Sequence, residues 1–185
     1  MEYLAIDFET ATSAGESACS VALIEVKDGH MVDHHTLLQP PGNKYFWRNI
    51  QVHGIRERDT ANSPFFPRLW PQLSRLLAGK LVVAHNASFD MNVLKRCLQY
   101  YDLPPVEFNF MCTVRLSRKV WPQLPNHKLD TMGRFFDIQF KHHDALEDAR
   151  LCAQIPLKAM EALGTDTIED LQAMTGVYSC PFVVI

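Results

Sequence analysis

The sequence predicts an α/β domain of three layers, with a mixed five-stranded sheet flanked by helices. Three observations carry that expectation. Strand-like runs come first and are then interleaved with helix-like ones, the order of a layered α/β domain. Two early connections have hairpin character, which makes part of the sheet antiparallel. No GxGxxG follows the first apolar run, so a dinucleotide fold has no support.

The first strand is read at Tyr3–Asp7 (YLAID), a short apolar run that ends in an acid. Ala18–Val26 and His30–Leu38 follow as a pair, joined by Lys27-Asp28-Gly29, residues suited to a hairpin turn. From Gln39 to Pro64 the chain is rich in Pro, Gly and Asn and reads as a long loop with local turns. Pro67–Leu77 carries apolar residues at helical spacing, with Gly79 after it as a stop. Leu81–Ala84 is a fourth, buried strand. His85–Phe89 then turns the chain into a helix at Asp90–Tyr100, whose Met91, Val93, Leu94, Cys97 and Leu98 face inward. Val106–Phe110 supplies an outer strand. Thr113–Val120 is a short helix stopped by Trp121-Pro122, and Leu129–Phe136 is another. Ala145–Leu163 is a long helix, kinked or interrupted near Pro156. A small helix and the apolar end Cys180–Ile185, read as a final strand, a dimer contact or the stump of a longer chain, follow. Residues 1–165 form the expected main domain, with 166–185 an extension packed on or near it.

The chain has 185 residues, enough for one domain with a proper core. No apolar run approaches the ~20 residues that span a bilayer. The start MEYLAIDFET places acids at positions 2, 7 and 9, where a secretory signal needs a basic residue and an unbroken apolar stretch. The cysteines at 19, 97, 112, 152 and 180 are odd in number and widely spaced, which fits reduced, buried thiols. A cytoplasmic protein without membrane contact is expected. The formal net charge of −3 argues against a simple module that grips a long duplex through its phosphates. It leaves open an enzyme that holds a few terminal nucleotides, because bound metal ions can supply positive charge.

Three clusters carry chemistry. Alternate residues of a strand share a face, so Asp7 and Glu9 lie side by side while Phe8 points into packing. Two such acids at the end of an apolar strand repel each other and resist desolvation unless a cation sits between them. Hard oxygen ligands would select Mg²⁺ or Mn²⁺. A solvated strand end is the competing reading. The second cluster, His85-Asn86-Ala87-Ser88-Phe89-Asp90, follows a buried strand and opens a helix; Asp90 there is either a ligand or a helix cap. The third runs from His142 to Asp148. On a regular helix residues 143 and 148 would diverge by roughly 140°. His143 reaches the site of Asp148 only from a loop ahead of the helix. Asp148 is an odd choice for an inward position, and His142 is read as exposed, as are Glu147 and Arg150.

Together these clusters resemble the DEDDh subgroup of the DnaQ-like 3′→5′ exonucleases, which includes the epsilon proofreading subunit of DNA polymerase III. Ile6-Asp7-Phe8-Glu9-Thr10 is similar to the first motif, Ala84–Asp90 to the second, and His143 with Asp148 to the third, His-x4-Asp. Val52-His53-Gly54-Ile55 resembles a loop that follows the first hairpin in epsilon-like members. The subgroup with Tyr in place of His would need Tyr at position 144, where this chain has Asp144. The likeness spans about residues 1–160 and makes 1–165 the exonuclease domain.

The resemblance implies a ribonuclease H-like fold and a two-metal mechanism. By that carry-over Asp7, Glu9, Asp90 and Asp148 hold two Mg²⁺ or Mn²⁺ ions, and His143 takes a proton from the attacking water. The substrate is the 3′ end of a nucleic acid, expected single-stranded and with DNA favoured, and the product a nucleoside 5′-monophosphate. Thr10, Asn86 and Phe89 are candidate substrate contacts, with packing the competing role for Phe89. His53 is read either as a substrate contact or as a residue that stabilises its loop. Arg115, Arg118 and Lys119 form a small basic face that could meet the strand. A polymerase or a second copy of the chain is the macromolecular partner to look for. An RNA or oligoribonucleotide exonuclease is the alternative within enzymes, and a non-cleaving ribonuclease H-like binding module the alternative outside them.

Overall fold

The protein is described from a computed structural model, in which residues 2–184 are placed. Ile185, the last residue of the expected apolar end, lies outside the described residues. The strands are β1 (Glu2–Thr10), β2 (Ala18–Lys27), β3 (His30–Leu37), β4 (Leu81–Ala84), β5 (Asn109–Cys112) and β6 (Cys180–Pro181). The α-helices are α1 (Trp47–His53), α2 (Glu57–Thr60), α3 (Phe66–Leu77), α4 (Ser88–Tyr100), α5 (Thr113–Val120), α6 (Leu129–Phe135), α7 (Ala145–Leu163) and α8 (Ile168–Thr175).

The sheet has the order β3-β2-β1-β4-β5-β6. β1 pairs antiparallel with β2 and parallel with β4, and β4 pairs parallel with β5. It is mixed, as expected, with six strands rather than five. The extra one is the two-residue β6, paired antiparallel with β5, so β5 is not the outer strand. β5 also lies further along the chain than the expected Val106–Phe110. Pro104 and Pro105 have no N–H to give a ladder, and pairing with β4 begins at Asn109.

Alternation along β1 builds the layers. Leu4, Ile6 and Phe8 face α3 and α4, in a core with Trp70, Leu73, Leu94 and Leu98. Tyr3 and Ala5 face the opposite way, toward Leu116, Met132, Leu151 and Ile155 of α5, α6 and α7. The Tyr3 hydroxyl donates to the Ala153 carbonyl at 2.5 Å and ties β1 to α7. Leu171 of α8 and Val177 join this second core, and Phe182 stacks on Phe108 in the first.

Three expectations are corrected here. β1 does not stop at Asp7 but runs to Thr10, because β2 pairs with it as far as Ala18 across a register shift between Glu9 and Thr10. The stretch 39–64 is not all loop: it contains α1 and α2, the first closed by Gly54 in the left-handed conformation and the second opened by reciprocal Arg56–Asp59 bonds. Helices of four and seven residues show too little periodicity to be read from sequence. Finally, α7 is not interrupted at Pro156. It is assigned as one helix from Ala145 to Leu163, with Pro156 among ten buried residues that hold it against the sheet.

Candidate active site

Asp7 and Glu9 continue the Tyr3/Ala5 face of β1, the face covered by α7. Asp148, in the first turn of α7, therefore meets them. One carboxylate oxygen from each of Asp7, Glu9 and Asp148 lies within 4.8 Å of the others. Asp90 arrives from α4, whose start follows the carboxyl end of β4. Its Oδ1 accepts the Phe8 amide at 3.0 Å, which fastens the side chain to β1 between the two acids. The site thus lies where the parallel strands β1 and β4 end, the usual ligand position of an α/β sheet. It is not a solvated strand end, and Asp90 is not a helix cap: Glu9 is 9% exposed, Asp90 1% and Asp148 3%.

Among the described residues no Lys or Arg forms an ion pair with these four acids. Burial, then the carboxylates of Asp90, Asp148 and Glu9, push Asp7 well above the ordinary carboxylate range. Burial and the neighbouring Asp148 and Asp90 push Glu9 up to about 8. Asp90 is also pushed up to about 8, chiefly by burial and against the pull of the Phe8 amide. Burial raises Asp148 as well, opposed by His142 and the His143 amide. The Oδ2 of Asp90 is buried with no hydrogen-bond partner among the described residues. Such an oxygen, in a pocket of uncompensated acids, fits a divalent cation with oxygen ligands.

His143 precedes α7 in a left-handed turn with φ 65°, and its amide donates to Asp148 Oδ2 at 3.0 Å. The expectation that it approaches Asp148 from a loop matches this geometry. Burial and the adjacent His142 lower its pKa, against the pull of Asp148 and Asp130, and so favour the neutral ring. His142 requires a correction. It is not solvent-exposed but half-buried, its Nδ1 3.1 Å from both oxygens of Asp148 and its ring stacked on His143. A positive φ at His143 cannot be inferred from sequence, and that angle is what turns both rings to one side.

Asp7, Glu9, Asp148, His142 and His143 open into a cavity of about 740 Å³. Thr10, Asn86 and Phe89 line it. Phe89 is 42% exposed, so the competing packing role does not hold for it. Asn86 sits in a left-handed turn with φ 71°, a conformation Asn tolerates. His53 also lines the cavity, but both ring nitrogens meet backbone: Nε2 at 3.2 Å from the Thr10 carbonyl and Nδ1 accepting the Ile55 amide at 3.0 Å. Its hydrogen bonds therefore hold the end of α1 and the turn after it against the end of β1. His85 braces the floor, with Nε2 donating to the His127 carbonyl at 2.8 Å and Nδ1 2.9 Å from the Thr113 hydroxyl. Arg118 reaches the cavity, whereas Arg115 and Lys119 do not line it. Arg48, Asn49 and Lys128 line it too and were missed in the sequence. Asn49 donates to the Thr10 carbonyl at 2.8 Å and to that of Thr12 at 3.2 Å. Arg48 and Asn49 stand on α1, so reading that helix was the only route to them.

Residues 4–155 match the exonuclease family RNase_T. The chain belongs to this family. Within it, the ordered motifs place the chain among the DEDDh 3′→5′ exonucleases, on a ribonuclease H-like fold. A DNA polymerase III PolC-type of Caldanaerobacter subterraneus subsp. tengcongensis is 29% identical over 182 residues, covering 95% of this chain and 13% of that protein. The chain spans about an eighth of the length of such curated relatives. Among solved structures, Exonuclease X in complex with 5′ overhanging duplex DNA superposes with a TM-score of 0.74 at 26% identity, over 94% of this chain and 99% of that one. A 3′-exonuclease in 3′-end-specific recognition of histone mRNA stem-loop shares the fold, with a TM-score of 0.71 at 16% identity over 86% of this chain and 81% of that one. None of the described helices is long and apolar enough to cross a membrane.

Proposed function

We propose that the chain removes nucleotides one at a time from the 3′ end of a single DNA strand, by hydrolysis of the terminal phosphodiester, and releases nucleoside 5′-monophosphates. What carries this reading is the convergence of four carboxylates, three of them buried, with an orphaned Asp90 oxygen and, among the described residues, no Lys or Arg ion-paired to them. Asp7, Glu9, Asp90 and Asp148 would hold two Mg²⁺ or Mn²⁺ ions. When bound, these supply Lewis-acid stabilisation of the phosphoryl oxygens and of the departing 3′-oxygen.

The chain's own residues do the rest. His143, beside Asp148 and open to the cavity, takes the proton of the attacking water on a neutral imidazole. Thr10, Asn86 and Phe89 hold the terminal nucleotide, Phe89 by offering an exposed ring to the base. His53 and Asn49 fix the Thr10 backbone that the nucleotide meets. DNA is favoured because the curated relatives are DNA polymerases III and Exonuclease X is seen on DNA. The proposed setting is cytoplasmic trimming of 3′ ends beside a polymerase.

The test is a single-stranded DNA labelled at its 3′ end or, separately, at its 5′ end, incubated with Mg²⁺ or with a chelator. The 3′ label should appear at once as a 5′-mononucleotide, and the 5′ label as a shrinking ladder. Both should stop under chelation. Release of mononucleotide from the 5′ label first, or cleavage that ignores the chelator, would overturn the reading. Preference for a matched RNA strand would replace DNA by RNA as substrate.

A further inference from the structure

Consecutive side chains of an extended segment point to opposite sides. His142 and His143 do not. With φ 65° at His143 the turn brings their rings together, centroids 3.8 Å apart and planes 23° apart. His142 Nδ1 stands 3.1 Å from both Asp148 oxygens, and one ligand atom from each of His142, His143 and Asp148 lies within 4.8 Å of the others. All three line the cavity, so an ion from solvent can reach them.

We propose that His142, His143 and Asp148 form a second, nitrogen-rich cation site that shares Asp148 with the oxygen group, captures Zn²⁺ or a similar borderline transition ion and so arrests hydrolysis. The donor set decides the ion. Two imidazoles and one carboxylate suit Zn²⁺, Co²⁺ or Ni²⁺, which bind nitrogen far better than Mg²⁺ does. The adjacent group of Asp7, Glu9 and Asp148 offers only oxygen, the ligand of Mg²⁺ and Mn²⁺. Asp148 belongs to both groups, so the two occupancies compete for one carboxylate. A His143 that ligates Zn²⁺ also has that lone pair engaged and cannot take the water proton. Arrest rests on the hydrolytic reading above; capture of the ion does not.

The experiment uses the full chain and Zn²⁺ alone as probe, followed by calorimetric titration and by ¹⁵N NMR of the histidine rings. Zn²⁺ should shift the ring nitrogens of both His142 and His143 in the unaltered protein. His142→Phe keeps a ring for the stack but removes the donor, and should weaken Zn²⁺ binding by at least about tenfold. Asp7→Asn, which disturbs only the oxygen group, should keep Zn²⁺ affinity within about threefold. Millimolar Mg²⁺ should leave bound Zn²⁺ in place. In the nuclease assay, with each protein scaled to its own Mg²⁺-supported rate, the Zn²⁺ needed for half inhibition should rise at least tenfold in His142→Phe. Zn²⁺ that binds His142→Phe as tightly as the unaltered protein, or that is lost in Asp7→Asn, belongs to the oxygen group and overturns the proposal. Ring signals unmoved by Zn²⁺ do the same, and need no variant to fold.

Discussion

Asp148 and Arg150 stand two residues apart on α7, and their charges are handled in opposite ways. Arg150 is half exposed. It pairs with Asp33 of β3 and, at 2.5 Å, with Glu147, so that cluster closes on itself at the surface. Asp148 is buried among Asp7, Glu9 and Asp90, and its ion-pair partner among the described residues, His142, is charged only when protonated. Charges that balance within the protein serve the fold at most modestly. Buried charges that do not balance penalise the fold, and persist where a ligand supplies the missing charge. The contrast separates a structural cluster from a working one on a single helix.

Substitutions can break that contrast in order of effect. Asp7→Asn or Asp90→Asn should lower Mg²⁺-dependent release of mononucleotides by about a thousandfold or more, several kcal/mol of lost stabilisation. In chelator at alkaline pH, where these acids ionise, the metal-free fold of the variant should meanwhile be the more stable, by roughly 1–3 kcal/mol, since an uncompensated buried charge is gone. A variant that lost both activity and stability would make the acids structural. His143→Ala should reduce the rate about 10²–10⁴-fold, the usual contribution of a general base. Its Mn²⁺ binding, followed by titration, should persist; a variant that binds no metal would make His143 a ligand or a structural residue.

The pH dependence of stability sharpens the same point. Glu9 and Asp90 titrate near 8 when folded, far above their ordinary values, so between about pH 4.5 and 8 the native state holds protons that the unfolded chain has lost. The metal-free protein should therefore be stabilised at low pH by these groups and lose that advantage as pH rises toward 8. Divalent metal should restore it. Urea midpoints in chelator at several pH values, for the unaltered chain and Asp90→Asn, isolate the contribution; a difference that does not change with pH contradicts it. His85 works in the other direction. Burial lowers it to about 4, so its contribution is whole above about pH 6.5 and is lost as pH falls toward 4. The smallest effect belongs to the balanced cluster: Arg150→Ala should change stability by less than about 1 kcal/mol and leave activity unaltered.

Much of this was legible in the chain, for identifiable reasons. Apolar alternation along Tyr3–Phe8 gives the faces of β1, and so puts Asp7 and Glu9 together. The five-residue offset of His143 from Asp148 requires a loop before the helix. What stayed hidden depends on contacts distant in sequence or on single backbone angles. Asp90 is held by an amide 82 residues away. The position of β5 is set by pairing with β4, and the shortness of the final strand β6, read at Cys180–Ile185, by its pairing with β5 at two residues alone. His142 joins the site through one positive φ at its neighbour. Arg48 and Asn49 come from a seven-residue helix inside a segment whose composition reads as loop.

The central claim is that the acids around Asp7 exist to hold divalent metal for hydrolysis. Equilibrium binding of Mn²⁺, read by electron paramagnetic resonance beside a single-strand degradation assay, tests it most directly. The account predicts two bound ions for the unaltered protein, at most one for Asp7→Asn, and a rate that vanishes with the lost ion. Equal Mn²⁺ binding by both proteins, or full degradation by Asp7→Asn, would contradict it.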